Sequence, residues 1–281
     1  MAESSAALSI GRSAVTADFL SENHGLFSMA HLPPDSTDYL RTPAAKREYN
    51  ELLFAEVAKR YDLVTRALSL GRDQAWKRVL LDSLPAVLNP VCVDLACGTG
   101  DVSFALADRY PKGTVRGVDL SPEMLEIAQA RNRFPNVTLE VGDMHHLPFP
   151  SASIDIVTGS YALRNAPSLT VALREIDRVL RPGGTAAFLD FSKSPHWFVQ
   201  RLSFAVLYLW GSFWGLVLHR QPAVYAYIAK SLWHFPDRKA LRQKLSDAGF
   251  AEVFSRKFYF GTLEIITVSK PIHEQVPAPR A

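Results

Sequence analysis

Cysteine and net charge are both scarce in this chain of 281 residues, and each shortage excludes a class of protein. The two cysteines, Cys92 and Cys97, lack the spacing of a zinc site, so no metal ligand is predicted. We expect two buried free thiols in a reducing compartment. The 31 basic residues exceed the 28 acidic ones by only three, and no block of like charges occurs, so the sequence predicts no nucleic-acid partner.

The N-terminal region lacks the pattern of a signal peptide. Its first apolar run, residues 6–10, is too short, and acidic residues such as Asp18 and Glu22 follow it, which also disfavours an organelle transit peptide. Residues 1–43 are rich in serine and alanine and show no sustained hydrophobic period, so we predict a flexible extension. A flexible tail is predicted for residues 271–281.

One α/β domain is predicted for residues 44–270. Hydrophobic residues make up 48% of the chain, enough to bury a sizeable core. Apolar residues recur at helical spacing over residues 44–88, which predicts a helical cap. Beyond it, short β-branched runs alternate with helical ones, a pattern typical of a parallel sheet covered by helices on both faces. Ligands of such sheets bind at the carboxyl ends of the strands.

The stretch VCVDLACGTGDV, residues 91–102, places two glycines directly after a predicted strand. Glycines there allow the backbone to approach a ligand, and the following helix offers free N–H groups. A dinucleotide fingerprint would need a third glycine where Ser103 stands, which disfavours a pyrophosphate. Asp119 ends the next strand, where a carboxylate can accept both ribose hydroxyls. An adenosine-containing ligand is therefore predicted. The alternative is that the glycines form only a tight turn and that Asp119 is only the neighbour of a helix that Ser121 caps.

Further motifs carry a resemblance to known families. GDMHHLPFP (142–150) and VLRPGG (179–184) complete a pattern that resembles the class I S-adenosylmethionine-dependent methyltransferases. FAEVAKRYDLVTRALSLGRDQAWKR (54–78) and SYALRN (160–165) are more specific, and with LDFSKS they resemble the ubiquinone/menaquinone biosynthesis C-methyltransferase family over residues 50–270. Members of that family methylate a ring carbon of a polyprenyl benzoquinol or naphthoquinol.

This resemblance implies a Rossmann-like, doubly wound, mostly parallel seven-stranded sheet with an N-terminal helical cap and a helical lid insertion at about residues 194–235. It implies S-adenosylmethionine as the cofactor, with glycines around the methionine portion, a carboxylate on the ribose and an acid–methionine pair at the adenine. Asp94 has a second role open to it, which is to hold the glycine loop. The implied cofactor-binding residues are Asp94, Gly98, Thr99, Gly100, Asp119, Leu120, Asp143, Met144 and Ser160. The family commonly has asparagine where Thr65 stands.

The resemblance also implies three catalytic residues. A ring carbon becomes nucleophilic when the neighbouring hydroxyl is an oxyanion, and the permanent charge of Arg164 would stabilise that anion while Asn165 orients the ring oxygen. Both could instead belong to an ordinary surface loop. Tyr61 is the third, and with Asp62 it either gates the cofactor pocket or closes a helix. The two histidines at 145–146 are assigned to a solvated loop and not to the site.

The apolar segment 197–218 raises the question of a membrane. The 17 residues from Leu202 to Leu218 contain no charged side chain, at the lower edge of what could cross a bilayer, since a crossing helix needs about 20 apolar residues. Tryptophans and flanking basic residues favour a lid that lies at the membrane surface. The alternatives are a span, a helix pair packed on the core, and the face of a homodimer.

The sequence therefore predicts a methyltransferase that acts on a lipophilic quinol, in the cytoplasm and peripheral to the membrane, with an organelle as an open alternative. Two other functions stay open. One is methylation of another lipophilic phenol, polyketide or sterol. The other is a non-catalytic protein that binds the cofactor and scaffolds a quinone-synthesis complex.

Overall fold

The structure is a computed structural model that describes residues 40–272, so most of the predicted extension and of the predicted tail lies outside it. Its helices are α1 (Pro43–Val57), α2 (Tyr61–Leu68), α3 (Asp73–Asp82), α4 (Asp101–Arg109), α5 (Pro122–Arg131), α6 (Leu169–Val179), α7 (Trp197–His219), α8 (Ala223–His234) and α9 (Arg238–Asp247). Its strands are β1 (Val91–Leu95), β2 (Thr114–Asp119), β3 (Val137–Val141), β4 (Ile154–Ser160), β5 (Leu180–Phe191), β6 (Ala251–Phe258) and β7 (Leu263–Ser269).

The seven strands form one sheet in the order β3-β2-β1-β4-β5-β7-β6. The first five strands run parallel, and β7 is antiparallel to both of its neighbours. This confirms the predicted mostly parallel seven-stranded sheet. The last residue of β1, Leu95, is level with Val118 of β2 and Gly159 of β4, so the carboxyl ends of three strands meet at one edge.

The sheet is buried because its central strands carry apolar residues on both faces. Val93 and Leu95 of β1 pack into the apolar cluster on one face, and Cys92 packs into the cluster on the other. Cys92 and Cys97 are both free and buried, as the sequence predicts. Successive side chains of a strand point to opposite faces of the sheet, and helices cover both faces. Both sets of side chains are therefore apolar, which gives these strands continuous apolar runs in the sequence.

Two boundaries differ from the sequence-based expectation. The helical spacing of apolar residues from Leu53 to Tyr61 predicts a first cap helix that ends near Tyr61. In the structure α1 ends at Val57, a short 3₁₀ turn follows, and Tyr61 begins α2. The run TAAFLDF predicts a fifth strand over residues 185–191, whereas β5 begins at Leu180. The earlier start occurs because Leu180 pairs with Ile154 of β4, while Gly183 and Gly184 exchange backbone hydrogen bonds with Lys270 directly after β7.

Helices α7 and α8 form a hairpin in the predicted insertion. Two glycines of α7 face α8: a Cβ at Gly211 would lie 2.5 Å from the Tyr225 carbonyl oxygen, and one at Gly215 would lie 2.5 Å from that of Gln221. By length and composition alone, α7 qualifies as a candidate membrane span, and 17% of its most apolar window is buried. It exposes large apolar side chains, namely Trp197, Phe198, Leu202, Val206, Leu209, Phe213, Leu216 and Val217.

Candidate active site

The loop after β1 crosses the ends of β2 and β4, and Asp119 holds it in place. Gly98 and Gly100 adopt left-handed backbone conformations, with φ of 54° and 90°, which glycine reaches without strain. Asp119 accepts the Gly98 N–H at 2.7 Å through one carboxylate oxygen and the Ser121 N–H at 2.9 Å through the other. Burial raises the pKa of the Asp119 carboxyl, while the backbone hydrogen bonds act in the opposite direction.

A cleft opens beside this loop at the carboxyl edge of the sheet. It brings together five of the nine predicted cofactor residues, which are Gly98, Asp119, Leu120, Met144 and Ser160. The predicted catalytic residues Tyr61 and Asn165 also line it. We call it the inner cleft.

The other four predicted cofactor residues are not among those that line the inner cleft. Asp94 accepts the hydroxyls of Ser103 and Thr158, at 2.7 and 2.8 Å, and so joins β1 to α4 and β4. Burial raises the pKa of Asp94 to about 6, and the two hydroxyl hydrogen bonds act against that rise. Thr99 donates its hydroxyl to Asp62 at 2.8 Å.

Gly100 and Asp143 complete this group of four. A Cβ at Gly100 would lie 2.5 Å from the Phe104 ring, so the glycine is needed for packing within α4. Asp143 accepts a hydrogen bond from the Arg47 guanidinium at 2.7 Å, and its other oxygen accepts the His145 N–H. A contact of these residues with the cofactor stays a prediction.

The inner cleft has the chemistry that S-adenosylmethionine requires. The hydroxyl of Ser160 is buried and has no partner within residues 40–272, so a polar group of a ligand can satisfy it. Space is open beside Gly98, where the nearest atom to an added Cβ belongs to the Tyr61 ring at 3.8 Å. The lining includes the carboxylates of Glu51 and Asp119 and, among the described residues, no lysine or arginine, which suits a cationic sulfonium.

A second cavity, of about 530 Å³, lies between the cap, the sheet end and the α7–α8 hairpin. We call it the outer chamber. Its lining is mostly apolar and aromatic, contributed by residues such as Trp76, Leu207 and Tyr259. Phe54, Tyr61, Tyr161 and Asn165 line both cavities, so the two meet at these side chains.

Arg164 lines the outer chamber and is 4% exposed. Its guanidinium lies 5.5 Å from the Phe191 ring centre and 5.7 Å from that of Tyr227, a cation–π arrangement. It donates a hydrogen bond to Ser231, and its Nε is 3.6 Å from an Asp190 carboxylate oxygen. That distance exceeds a hydrogen bond, so Nε is without a partner among the described residues.

Asn165 is fixed through both ends of its side chain. It donates to the Tyr161 carbonyl at 2.8 Å and accepts the Tyr227 hydroxyl at 3.2 Å. The same Tyr227 hydroxyl lies 2.7 Å from Asn50 Oδ1, and Asn50 donates to the Asn165 carbonyl at 2.7 Å. The cap helix α1, the SYALRN loop and the lid helix α8 therefore share one hydrogen-bond network.

Lys46 of α1 holds the SYALRN loop from outside. Its ammonium donates to the carbonyls of Arg164 at 2.8 Å and Ala166 at 2.7 Å. Burial, followed by the nearby charge of Arg164, lowers the pKa of Lys46 to about 8. Tyr61, at the start of α2, is also affected, since burial raises the pKa of its phenol to about 12 and keeps it neutral.

Sequence reasoning missed several of these residues. Asp190 stands in the LDFSKS motif, so its motif could have singled it out. Asn50, Tyr227 and Ser231 carry no local signal, because they reach Arg164 and Asn165 from helices 62 to 115 residues away in the chain. Only the docking of the cap and the lid onto the sheet edge brings them there.

The fold and the inner cleft define a class I S-adenosylmethionine-dependent methyltransferase. Solved structures support the fold: the geranyl diphosphate C-methyltransferase from Streptomyces coelicolor A3(2) is similar with a TM-score of 0.55 at 15% identity, over 70% of this chain and 78% of that chain. An S-adenosylmethionine-dependent methyltransferase from Mesorhizobium loti is similar with a TM-score of 0.52 at 19% identity, over 68% and 96%.

The chain belongs to the ubiE/COQ5 methyltransferase family, which matches residues 43–270. It is 38% identical to the ubiquinone/menaquinone biosynthesis C-methyltransferase UbiE of Rubrivivax gelatinosus over 212 residues, 74% of this chain and 82% of that protein. It is 31% identical to a demethylmenaquinone methyltransferase of Staphylococcus aureus over 220 residues, 77% and 91%. The predicted family, cofactor and methyltransferase activity in quinone biosynthesis are confirmed.

Proposed function

We propose that the protein methylates a ring carbon of a polyprenylated quinol held in the outer chamber. The observation that carries this proposal is the junction of the two cavities, where a cleft lined by two acidic residues, Glu51 and Asp119, meets an apolar chamber. The two cavities meet at Tyr61, Tyr161 and Asn165. An aromatic ring in the chamber would reach the cofactor there. The names of the two curated relatives support a quinone-pathway substrate.

S-adenosylmethionine, when bound, supplies a methyl group on a cationic sulfur. The residues of the inner cleft bind it: the carboxylate of Asp119 accepts the ribose hydroxyls, Met144 packs at the adenine, and Ser160 donates to a polar atom near the sulfur. The apolar walls exclude water and align the acceptor with the methyl group, and alignment of this kind supplies much of the acceleration of a methyl transfer.

Arg164 and Asn165 act on the acceptor ring. Loss of the hydroxyl proton leaves an oxyanion that raises the electron density of the neighbouring ring carbon. Arginine carries a permanent positive charge, and the Arg164 Nε–H, which makes no hydrogen bond within residues 40–272, can donate to that oxyanion. Tyr61 closes the space above Gly98 and separates the reacting atoms from solvent.

The exposed apolar side chains of α7 support contact with a membrane surface. A quinol with an isoprenoid tail resides in lipid, and the exposed apolar surface of α7 is continuous with the chamber, since Leu202 and Val206 belong to both. Arg201, Lys230 and His234 line a groove with three aromatic side chains on the same hairpin, where they suit anionic headgroups. We propose a peripheral protein, because α7 packs against α8 through Gly211 and Gly215 instead of standing apart.

A labelled-methyl assay tests the reaction. Purified protein would be incubated with methyl-labelled S-adenosylmethionine and, separately, with a reduced demethylmenaquinol and a reduced demethoxy-type benzoquinol in detergent. We expect label on one ring carbon, located by mass spectrometry. In Arg164→Ala, single-turnover rates should fall by about 100-fold, while the exposed Arg174→Ala on α6 serves as a matched control and should retain the parent rate.

Three results would contradict the proposal. Label on neither quinol, with the cofactor bound, would indicate another lipophilic phenol, polyketide or sterol. Cofactor binding without turnover on any acceptor would indicate a scaffold of a quinone-synthesis complex. An unchanged single-turnover rate in Arg164→Ala would remove that residue from the chemistry.

A further inference from the structure

Tyr161 is held in a conformation that an aromatic residue rarely adopts. It directly follows β4 and has a φ of 59°, in the left-handed region. Such a conformation persists where the surroundings over-determine it, and these positions cluster at functional sites. Here the Tyr161 N–H donates to the Leu189 carbonyl at 2.6 Å, and its carbonyl accepts the Asn165 amide at 2.8 Å.

The phenol of Tyr161 is anchored as firmly as its backbone. Its hydroxyl donates to Asp73 at 2.8 Å, and Asp73, at the start of α3, is 4% exposed. The other oxygen of Asp73 is paired with Lys77 at 2.6 Å, one helical turn further on, and Lys77 also reaches Asp101 at 3.0 Å. Burial and the nearby Asp73 raise the pKa of Tyr161 well above its usual value, so the phenol stays a neutral donor.

The anchored ring stands where the two cavities meet. Tyr161 lines both the inner cleft and the outer chamber, and its ring packs at 5.8 Å and 35° against Phe191. With its hydroxyl fixed and one face packed, the ring cannot swing. The fixed ring therefore sets the orientation of the acceptor ring relative to the methyl group. Methyl transfer requires such a fixed orientation, because the reacting atoms must be held in a near-attack geometry.

A quinol offers two adjacent nucleophiles, the ring carbon and the neighbouring hydroxyl oxygen. On the carbon, a ring electron pair forms the carbon–methyl bond, the sulfur–methyl bond breaks with its electron pair left on sulfur, and the ring carbon then loses its proton. On the oxygen, a lone pair forms the oxygen–methyl bond and the hydroxyl proton is lost. Both routes release S-adenosylhomocysteine, so position decides between them.

We propose that Tyr161, anchored by Asp73 and Lys77, is a positioning residue that directs methyl transfer to the ring carbon and away from the adjacent oxygen. This inference rests on the proposed function. It assigns a task to a buried ion pair that is not otherwise needed to bind the cofactor or to hold the acceptor anion.

Product analysis tests the selectivity. Tyr161→Phe keeps the ring and removes the anchor, and we expect kcat to fall about tenfold and the share of O-methylated product to rise at least tenfold, with affinity for S-adenosylhomocysteine within twofold by calorimetry. Tyr110→Phe is the matched control, since Tyr110 directly follows α4, lines neither cavity, and donates its hydroxyl to the Pro85 carbonyl at 2.6 Å. It should leave the ratio of products unchanged.

A second measurement tests the anchor without turnover. In protein labelled with 3-fluorotyrosine, the ¹⁹F resonance of Tyr161 is the one lost in Tyr161→Phe. We expect Asp73→Asn, which keeps an acceptor but removes the charge paired with Lys77, to shift or broaden that resonance. An unchanged resonance, or a slower Tyr161→Phe enzyme with the parent ratio of C- to O-methylation, would overturn the proposal. A parent protein that methylates no quinol would refute the proposed function, and the resonance would still report on the anchor.

Discussion

At the scale of single residues, Asp119 combines two tasks that would ordinarily conflict. It accepts the N–H groups of Gly98 and Ser121, which shapes the glycine loop, and it lines the inner cleft where the ribose is expected. A carboxylate has about four lone-pair sites, so two are left for a ligand. The position was predictable from the sequence, because an acid at the end of a second strand has this geometry in any such sheet.

Asp119→Asn is expected to weaken cofactor binding by about 1 to 3 kcal/mol, since it removes charge-assisted hydrogen bonds. Calorimetric titration with S-adenosylhomocysteine measures the change. The exposed Asp108→Asn on α4 is the matched control and should bind as the parent does. Equal affinities for parent and Asp119→Asn would refute the ribose assignment.

Lys46 gives a dependence on pH. Its pKa is about 8 in the folded protein and 10.5 in its ordinary state. Between these pH values the folded chain has released a proton that the unfolded chain still holds, so a rise in pH across this window favours the folded state. Below pH 8 the lysine is protonated in both states, and its lowered pKa makes the folded state less stable. The free energy of unfolding of the parent, relative to Lys46→Met, should therefore rise between pH 8 and 10.5.

Urea denaturation at a series of pH values measures that difference, and the comparison with Lys46→Met cancels the titration of all other groups. A difference that stays constant through the window would show that Lys46 is not buried against Arg164. The sequence gives no sign of this lysine's role, since its two carbonyl partners lie 118 and 120 residues away.

At the scale of elements, the alternation of strands and helices was sufficient to predict the sheet. The exact ends of the elements were not predictable, because they involve residues that are distant in the chain. The extension of β5 back to Leu180 depends on Ile154 of β4 and on Lys270 after β7, which are both distant in the chain, so no local pattern could reveal it. The break between α1 and α2 is similar. Arg60, in the turn between them, donates to the Leu218 carbonyl at the end of α7, a partner 158 residues away in the chain.

The close packing of α7 on α8 predicts the effect of Gly211→Ala on stability, in which a gain in helix propensity opposes a cost of overpacking. Gly211→Ala should gain about 1 kcal/mol of helix propensity, but its Cβ would lie 2.5 Å from the Tyr225 carbonyl oxygen, a backbone atom that can move only if α8 moves. Overpacking typically costs about 1 to 3 kcal/mol. We therefore expect the free energy of unfolding to fall, or to stay unchanged if the cost of overpacking is at the lower end of that range.

Chemical denaturation measures this change. Ala205→Gly, at an exposed position of the same helix, measures the propensity term alone and should cost about 1 kcal/mol. If Gly211→Ala were more stable than the parent by that same amount, the close approach of α7 to α8 would not exist in solution.

At the scale of the whole molecule, α7 concentrates exposed apolar side chains in one part of the surface, which the overall composition does not reveal. Leu209 is 68% exposed and Phe213 is 50% exposed. The double variant Leu209→Glu/Phe213→Glu should lower partition into phospholipid vesicles by at least tenfold, because burial of one such side chain contributes about 1.5 to 3 kcal/mol. Flotation with vesicles measures the partition.

Leu88→Glu is the matched control, since Leu88 is 92% exposed on the connection between α3 and β1. It should float as the parent does. If the parent did not float and light scattering gave twice the monomer mass, a homodimer would cover the α7 face and the proposed membrane contact would be wrong.

The position of β7 determines the order in which the domain can be completed during synthesis. This strand lies between β5 and β6 although it is the last of the seven in the chain. The ribosome therefore delivers the apolar α7 before β5 has its second neighbour, so one edge of the nascent sheet stays unpaired while the lid is already made. Unpaired strand edges and exposed apolar surface together make such a partly synthesised chain prone to aggregation until β7 emerges.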